Sequence, residues 1–370
     1  MNPLKRLFLS QKQFLKKIVT ILGARPQFIK AAAVSSTLSR YFDEILVHTG
    51  QHYDANMSDV FFEELGVSKP KYNLNIGSGN HGEMTAKMLT SIEEVLLIEK
   101  PEFVLVYGDT NSTLAGALAA SKLLIPVVHI EAGLRSFNKA MPEEQNRVLT
   151  DHVSKILFAP TQTAVNHLSK EGITEGVHLV GDVMFDGMLH FSKIAKEKST
   201  ICSSLKLEEK SFVLCTIHRA ENTDNEERLR AIFEGLRSVD ETIVLPLHPR
   251  TQKFLLSYGI EPGSNIRIIE PIGYLDMISL QMNAKKIVTD SGGIQKEAFF
   301  LSVPCITLRD ETEWVETIEN GWNVLVGADR MKIIDAISSF VPDQPKIDYF
   351  GDGNSTLKIV EVLNTEFAGK

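Results

Sequence analysis

Short runs rich in Val, Ile and Leu recur along the chain, each closing in glycine or a polar turn and each followed by a stretch with helical spacing. In the first half they fall at residues 17–23, 44–50, 103–109, 126–133, 155–160 and 177–182. After about residue 186 the pattern restarts, with runs at 212–219, 242–250, 266–271, 285–293 and 304–308. The runs are continuously apolar rather than alternating, which is the mark of strands buried on both faces. Strands of that kind, separated by helices, predict parallel sheets covered by helices on either side. Two such series predict an α/β protein of two doubly wound domains, residues 17–186 and 187–352, after an N-terminal extension of residues 1–16. The stretch 187–210, rich in lysine, serine and glutamate, is the expected crossing between them. Neither an internal repeat nor a low-complexity segment is visible.

Composition narrows the class. A chain of 370 residues is too long for one ordinary core. Hydrophobic residues make up 43% and charged residues 23%, an ordinary globular balance. The net charge of -8 and the lack of a basic face argue against a nucleic-acid partner. An anionic small ligand stays open, because a few arginines at one site outweigh the global charge locally. Cys202, Cys215 and Cys305 are odd in number and lack zinc-type spacing. Cys215 and Cys305 lie in apolar runs and read as small core residues, which fits a reducing cytoplasm. The first 17 residues are basic and weakly amphipathic, with an apolar stretch of only Leu7–Leu9 and no small-residue cleavage site, so no signal peptide is expected. No apolar run approaches the roughly 18–20 residues of a membrane span, so no membrane partner is expected either.

In open parallel sheets ligands bind beyond the C-terminal ends of the strands. The first run ends in Gly23-Ala24-Arg25-Pro26, with a helix predicted from about Gln27. Free amides at a helix N-terminus favour anions, and Arg25 and Lys30 read as phosphate contacts or as surface charges. No GxGxxG pattern stands there, so a nicotinamide site is not supported. In the second half Thr289-Asp290-Ser291-Gly292-Gly293 leads a strand into an apolar helix. The glycines let backbone approach a ligand, Ser291 can cap the helix, and Glu297 lies where a carboxylate can accept ribose hydroxyls. An ordinary capped helix is the plainer reading.

Three acids close or follow strands of the first half. Asp109 is an acid/base candidate or a cap on the helix after it. Glu143 is a candidate too, or the i,i+4 partner of Arg147. Glu131 has the weakest structural excuse and is the strongest candidate. His218-Arg219 and His248 with Arg250 end two strands of the second half and point to an anionic ligand. The ten histidines form no metal motif, and no metal or other cofactor is expected.

Taken together, Ile21–Pro26, Thr49-Gly50-Gln51-His52, Gly108-Asp109-Thr110, Glu131–Arg135, Pro142-Glu143-Glu144, His218–Asn222 and Asp290–Gly293 resemble the UDP-N-acetylglucosamine 2-epimerase family, from about residue 17 to the C-terminus. The resemblance implies two Rossmann-like domains of the GT-B type with a central cleft, and a C-terminal helix, residues 353–370, packed back on the first domain. It implies that Arg25, Lys30, Arg135 and Arg147 serve the ligand from the first domain. Ser291, Gly292 and Gly293 would hold the diphosphate, Glu297 the ribose, and Tyr274 with Leu275 the uracil. Asp109, Glu131 and Glu143 would do acid/base work, with His218 at the departing UDP. Gln51 and His52 match an activating site of some members. A homodimer is also implied.

Two departures refine the resemblance. Hydrolysing relatives carry Arg after the Gly-Asp of the catalytic loop, where this chain has Thr110, which points to the non-hydrolysing branch. Members acting on UDP-N-acetylglucosamine show Thr-Glu-Arg-Pro-Glu where this chain has Thr312-Glu313-Trp314-Val315-Glu316. With residues 23–30, Asp54–Ser58 and Arg309–Glu316, the chain is similar to a subgroup that epimerises UDP-2,3-diacetamido-2,3-dideoxyglucuronate for O-antigen lipopolysaccharide. The rival readings are a GT-B glycosyltransferase, which shares fold and UDP site, and a UDP-sugar sensor without chemistry.

Overall fold

The computed structural model describes residues 15–50, 69–77 and 79–367. The chain divides into two compact units, one of residues up to Gly187 together with those from Tyr349, the other of Met188–Asp348. The first unit is built on β1 (Lys17–Leu22), β2 (Asp43–His48), β3 (Tyr72–Asn73), β4 (Phe103–Tyr107), β5 (Val127–Ile130), β6 (Ile156–Ala159) and β7 (Val177–Leu179). The second carries β8 (Phe212–Thr216), β9 (Thr242–Pro246), β10 (Ile266–Ile269), β11 (Lys286–Thr289), β12 (Cys305–Thr307) and β13 (Asn323–Leu325).

The first sheet runs β3-β2-β1-β4-β5-β6-β7 and the second β10-β9-β8-β11-β12-β13. The described pairings in both are parallel. Strand order reverses between β1 and β4 in the first unit and between β8 and β11 in the second, which makes a switch point in each. This is the expected α/β fold of two Rossmann-like domains.

Burial explains the apolar runs. In the second unit Val213, Cys215, Leu245, Val288 and Ile306 enter one core, while Phe212, Leu214, Val244, Ile287 and Cys305 enter another. Neighbouring residues of one strand therefore point into opposite layers, so alternation of polarity is not permitted. In the first unit the small-residue helix Asn111–Lys122 lies close on β1 and β4. A Cβ at Gly116 would come within 2.7 Å of Ile21 Cδ1, so only glycine allows that approach.

The helix Val183–Lys198 carries the chain out of the first unit, and the helix Ser355–Phe367 returns to it. The backbone amides of Ser355 and Thr356 donate to the Asp186 carboxylate at 3.1 and 2.7 Å, which caps the returning helix. At its other end Phe367 stacks on Phe103 with ring centroids 4.5 Å apart. Among the described residues no helix is long and apolar enough to cross a membrane.

Candidate active site

At the switch point of the first unit, Gln27 ties the strand ends together. Its side-chain oxygen accepts from the amides of Gly23 and Ala24 at 2.7 and 3.0 Å, while its nitrogen donates to the Tyr107 carbonyl at 2.7 Å. The helix starts at Arg25, two residues earlier than expected, with Pro26 in its first turn. β4 then ends in Gly108 and Asp109. β5 ends in Glu131, whose φ of 74° lies in the left-handed region that non-glycine residues avoid. Such strain costs about 1–3 kcal/mol and persists only where the surroundings hold it. Here the amides of Glu131 and Ala132 both donate to the Phe158 carbonyl at 3.1 Å.

Glu131 Oε2 forms an ion pair with Lys30 Nζ, both side chains being over nine-tenths buried. A Cβ on Gly108, where φ is 61°, would stand 3.1 Å from Glu131 Oε2 and 3.3 Å from Lys30 Nζ, so both groups lie directly over that glycine. Beside them Arg147 Nη2 pairs with Asp109 Oδ2. Asp109 keeps 29% of its side chain accessible yet is ringed by protein. Desolvation raises its pKa and Glu131 adds to this, against the pull of Arg147 and Lys30. Each carboxylate thus has a cation of its own, and one of the two is biased toward holding a proton.

Several expectations change. Asp109 does not cap the following helix; Thr110 does, its hydroxyl accepting from the Thr113 amide. Lys30 is buried against Glu131. Arg147 pairs with Asp109 and with Glu144, 3.2 Å away, and Glu143 lies exposed on the same helix. Glu144 is buried because its oxygens also accept from the amides of Ser136 and Phe137. The Arg135 guanidinium turns inward, to both oxygens of Glu171 at 2.7 Å and to Asp151 at 2.8 Å. Gln51, His52, residues 54–58 and the side chain of Arg25 lie outside the described residues.

The switch point of the second unit is organised by Asp290, which is fully buried. Its carboxylate accepts from the amides of His218 and Arg219 at 3.0 Å each, from Asn222 at 3.3 Å, and faces His218 Nδ1 at 3.4 Å. Burial lowers the His218 pKa, with Asp290 opposing and Arg219 assisting, so the ring is neutral near pH 7. Ser291 caps the helix Gly292–Phe300, its hydroxyl accepting from the Ile294 amide at 3.5 Å. A Cβ on Gly292 would overlap the Glu313 carboxylate, and that carboxylate is held by Arg309 at 2.9 Å. Glu297 is buried and accepts from Gln281 at 2.7 Å and from the Tyr274 hydroxyl at 3.4 Å. Tyr274 is buried and Leu275 half-buried at the start of the helix Tyr274–Asn283.

Arg250 is bound to Asp224 and Thr223 and braces the short helix Ala220–Thr223. Trp314 is buried, with Lys296 Nζ 4.0 Å from its ring centroid. That contact is a cation–π interaction.

Sequence reasoning named Glu144 only as part of a motif, without a role, and passed over Asn146 and Asp151. They lie on the buried face of the helix Pro142–Val153. Polar residues at helical spacing imitate a solvent face, and only the neighbouring Arg147 hinted otherwise. His129 was also passed over, although an ionisable residue inside a continuously apolar strand signals a buried partner.

Known proteins resemble the chain in sequence and fold. The sequence matches the UDP-N-acetylglucosamine 2-epimerase family over residues 36–364. A "UDP-N-acetylglucosamine 2-epimerase homolog" of Methanococcus maripaludis is 57% identical, covering 94% of this chain and 99% of its own. The UDP-2,3-diacetamido-2,3-dideoxy-D-glucuronate 2-epimerase of Pseudomonas aeruginosa is 50% identical over the same shares. The crystal structure of Methanocaldococcus jannaschii UDP-GlcNAc 2-epimerase in complex with UDP-GlcNAc and UDP is 48% identical. It superposes with a TM-score of 0.87 and covers 94% of this chain and 99% of its own. Fold and sequence together define an epimerase of nucleotide sugars: the chain belongs to the UDP-N-acetylglucosamine 2-epimerase family. It is an isomerase acting on UDP-sugars.

Proposed function

We propose that the chain inverts carbon 2 of UDP-2,3-diacetamido-2,3-dideoxyglucuronate to give the manno epimer, without net hydrolysis. Carbon 2 of an acetamido sugar is not adjacent to a carbonyl carbon, so its proton is too weakly acidic for simple exchange. Elimination solves this. A base takes the carbon-2 proton as the carbon 1–oxygen bond breaks, UDP departs with the electron pair, and a glycal remains. Protonation of carbon 2 on the opposite face and return of UDP to carbon 1 give the epimer.

The observation that carries the chemistry is the pair Asp109 and Glu131, each beside its own cation. Glu131, paired with Lys30, suits the base, and Asp109, biased toward its protonated form, suits the acid. Glu143 would join them from its exposed position. His218, Ser291, Gly292 and Gly293 would receive the negative charge that develops on departing UDP. Glu297 would take the ribose, and Tyr274 with Leu275 the uracil.

The diacetamido uronate is favoured by the Pseudomonas aeruginosa relative and by Trp314-Val315 in place of Arg-Pro. UDP-N-acetylglucosamine is the second reading, favoured by the Methanocaldococcus jannaschii enzyme at 48% identity. Comparing kcat/KM for the two decides. The proposal expects the uronate to lead by about 10,000-fold, the scale on which a site built to pair a polar group rejects an analogue without it; a lead for UDP-N-acetylglucosamine overturns it. The product would serve O-antigen and related surface polysaccharides from the cytoplasm. A homodimer follows from the family resemblance, and sedimentation of the purified chain as a monomer at micromolar concentration would exclude it.

A further inference from the structure

Behind the carboxylate pair lies a buried ionisable group that the reaction above does not use. His129 sits in β5 and is fully buried. Its Nε2 is 2.7 Å from the Gly108 carbonyl oxygen, and its Nδ1 is 2.7 Å from Asp151 Oδ1. A carbonyl oxygen has no hydrogen to give, so Nε2 carries the proton of that bond. The other oxygen of Asp151 accepts from the Gly133 amide at 3.1 Å and from Arg135 Nη1 at 2.8 Å. Burial works against the Asp151 carboxylate, yet its bonds to His129 and Arg135 lower its pKa.

The same contacts grip both active loops. Through Nε2–H the ring holds the carbonyl of Gly108, the residue before Asp109. Through Gly133 and Arg135, Asp151 holds the turn that follows Glu131. That turn is where the backbone is strained, with φ of 74° at Glu131. We propose that His129, bridging Asp151 and the Gly108 carbonyl, positions Asp109 and Glu131 against each other. His129 and Asp151 are positioning residues, since their contacts run through protein groups that bear the acids. This inference rests on the reading of Asp109 and Glu131 as the acid–base pair.

Two variants test it: His129→Gln, which removes the link between Asp151 and the Gly108 carbonyl, and Asp151→Asn, which removes the charged acceptor of the Gly133 amide and Arg135. Turnover should fall about 10- to 100-fold, as for other outer residues that orient reacting groups, with UDP affinity and KM nearly unchanged. Wild-type turnover in a variant that binds UDP normally overturns the positioning role. Loss of activity in Glu131→Gln would persist in that case, so the two readings fail separately.

Discussion

Glu131 concentrates what single residues contribute. Its backbone is strained, and its carboxylate is buried against Lys30. Glu131→Gln keeps the shape and removes the charge. Turnover should drop by about 1,000-fold, within the range for loss of a general acid or base, while UDP binding measured by calorimetry stays within a few-fold. Full activity would remove Glu131 from the mechanism. Asp109 and Glu131 were legible in the sequence because each ends an apolar run, where a core residue would be expected. Glu144, His129 and Asp151 were not, because their roles depend on which neighbours a buried polar group meets across the fold. Arg135 shows the converse: an arginine in a recognisable motif turns inward, since Glu171 and Asp151 satisfy its donors.

At the scale of elements, the strands that carry both switch points were legible, and the missed ones were edges. β3 and β13 are short and mixed in polarity, because an edge strand has only one neighbour and little to bury. The helix His81–Glu99 holds a second feature that no periodicity shows. Glu99 lies at its C-terminal end, where the helix dipole disfavours a negative charge. Burial also opposes ionisation, yet bonds from Lys17, Lys71 and Tyr72 outweigh it and bring the pKa from 4.5 down to about 2. A native pKa below the unfolded one gives stability that is present above about pH 4.5 and lost as pH falls toward 2. Glu99→Gln should therefore lower stability by about 1–2 kcal/mol at pH 7, a value discounted for the exposed lysines. The difference should vanish near pH 2. Urea denaturation of both proteins across that range checks this, and equal stability at pH 7 would refute it.

At the scale of the whole molecule, two doubly wound sheets each set chemistry at a switch point: acids and cations in the first unit, a capped helix with glycines in the second. Fold class was legible because it follows from run length and repetition alone. Substrate choice was not, since Trp314, the departure that drew attention, is buried against Lys296. The central claim is that carbon 2 is deprotonated and reprotonated while UDP departs and returns. Proton NMR of the purified chain with UDP-2,3-diacetamido-2,3-dideoxyglucuronate in deuterated water tests it most directly. The account predicts the manno epimer with deuterium at carbon 2 and UDP still attached at equilibrium. An epimer that keeps its original carbon-2 hydrogen, or free UDP and sugar as the only products, would contradict it.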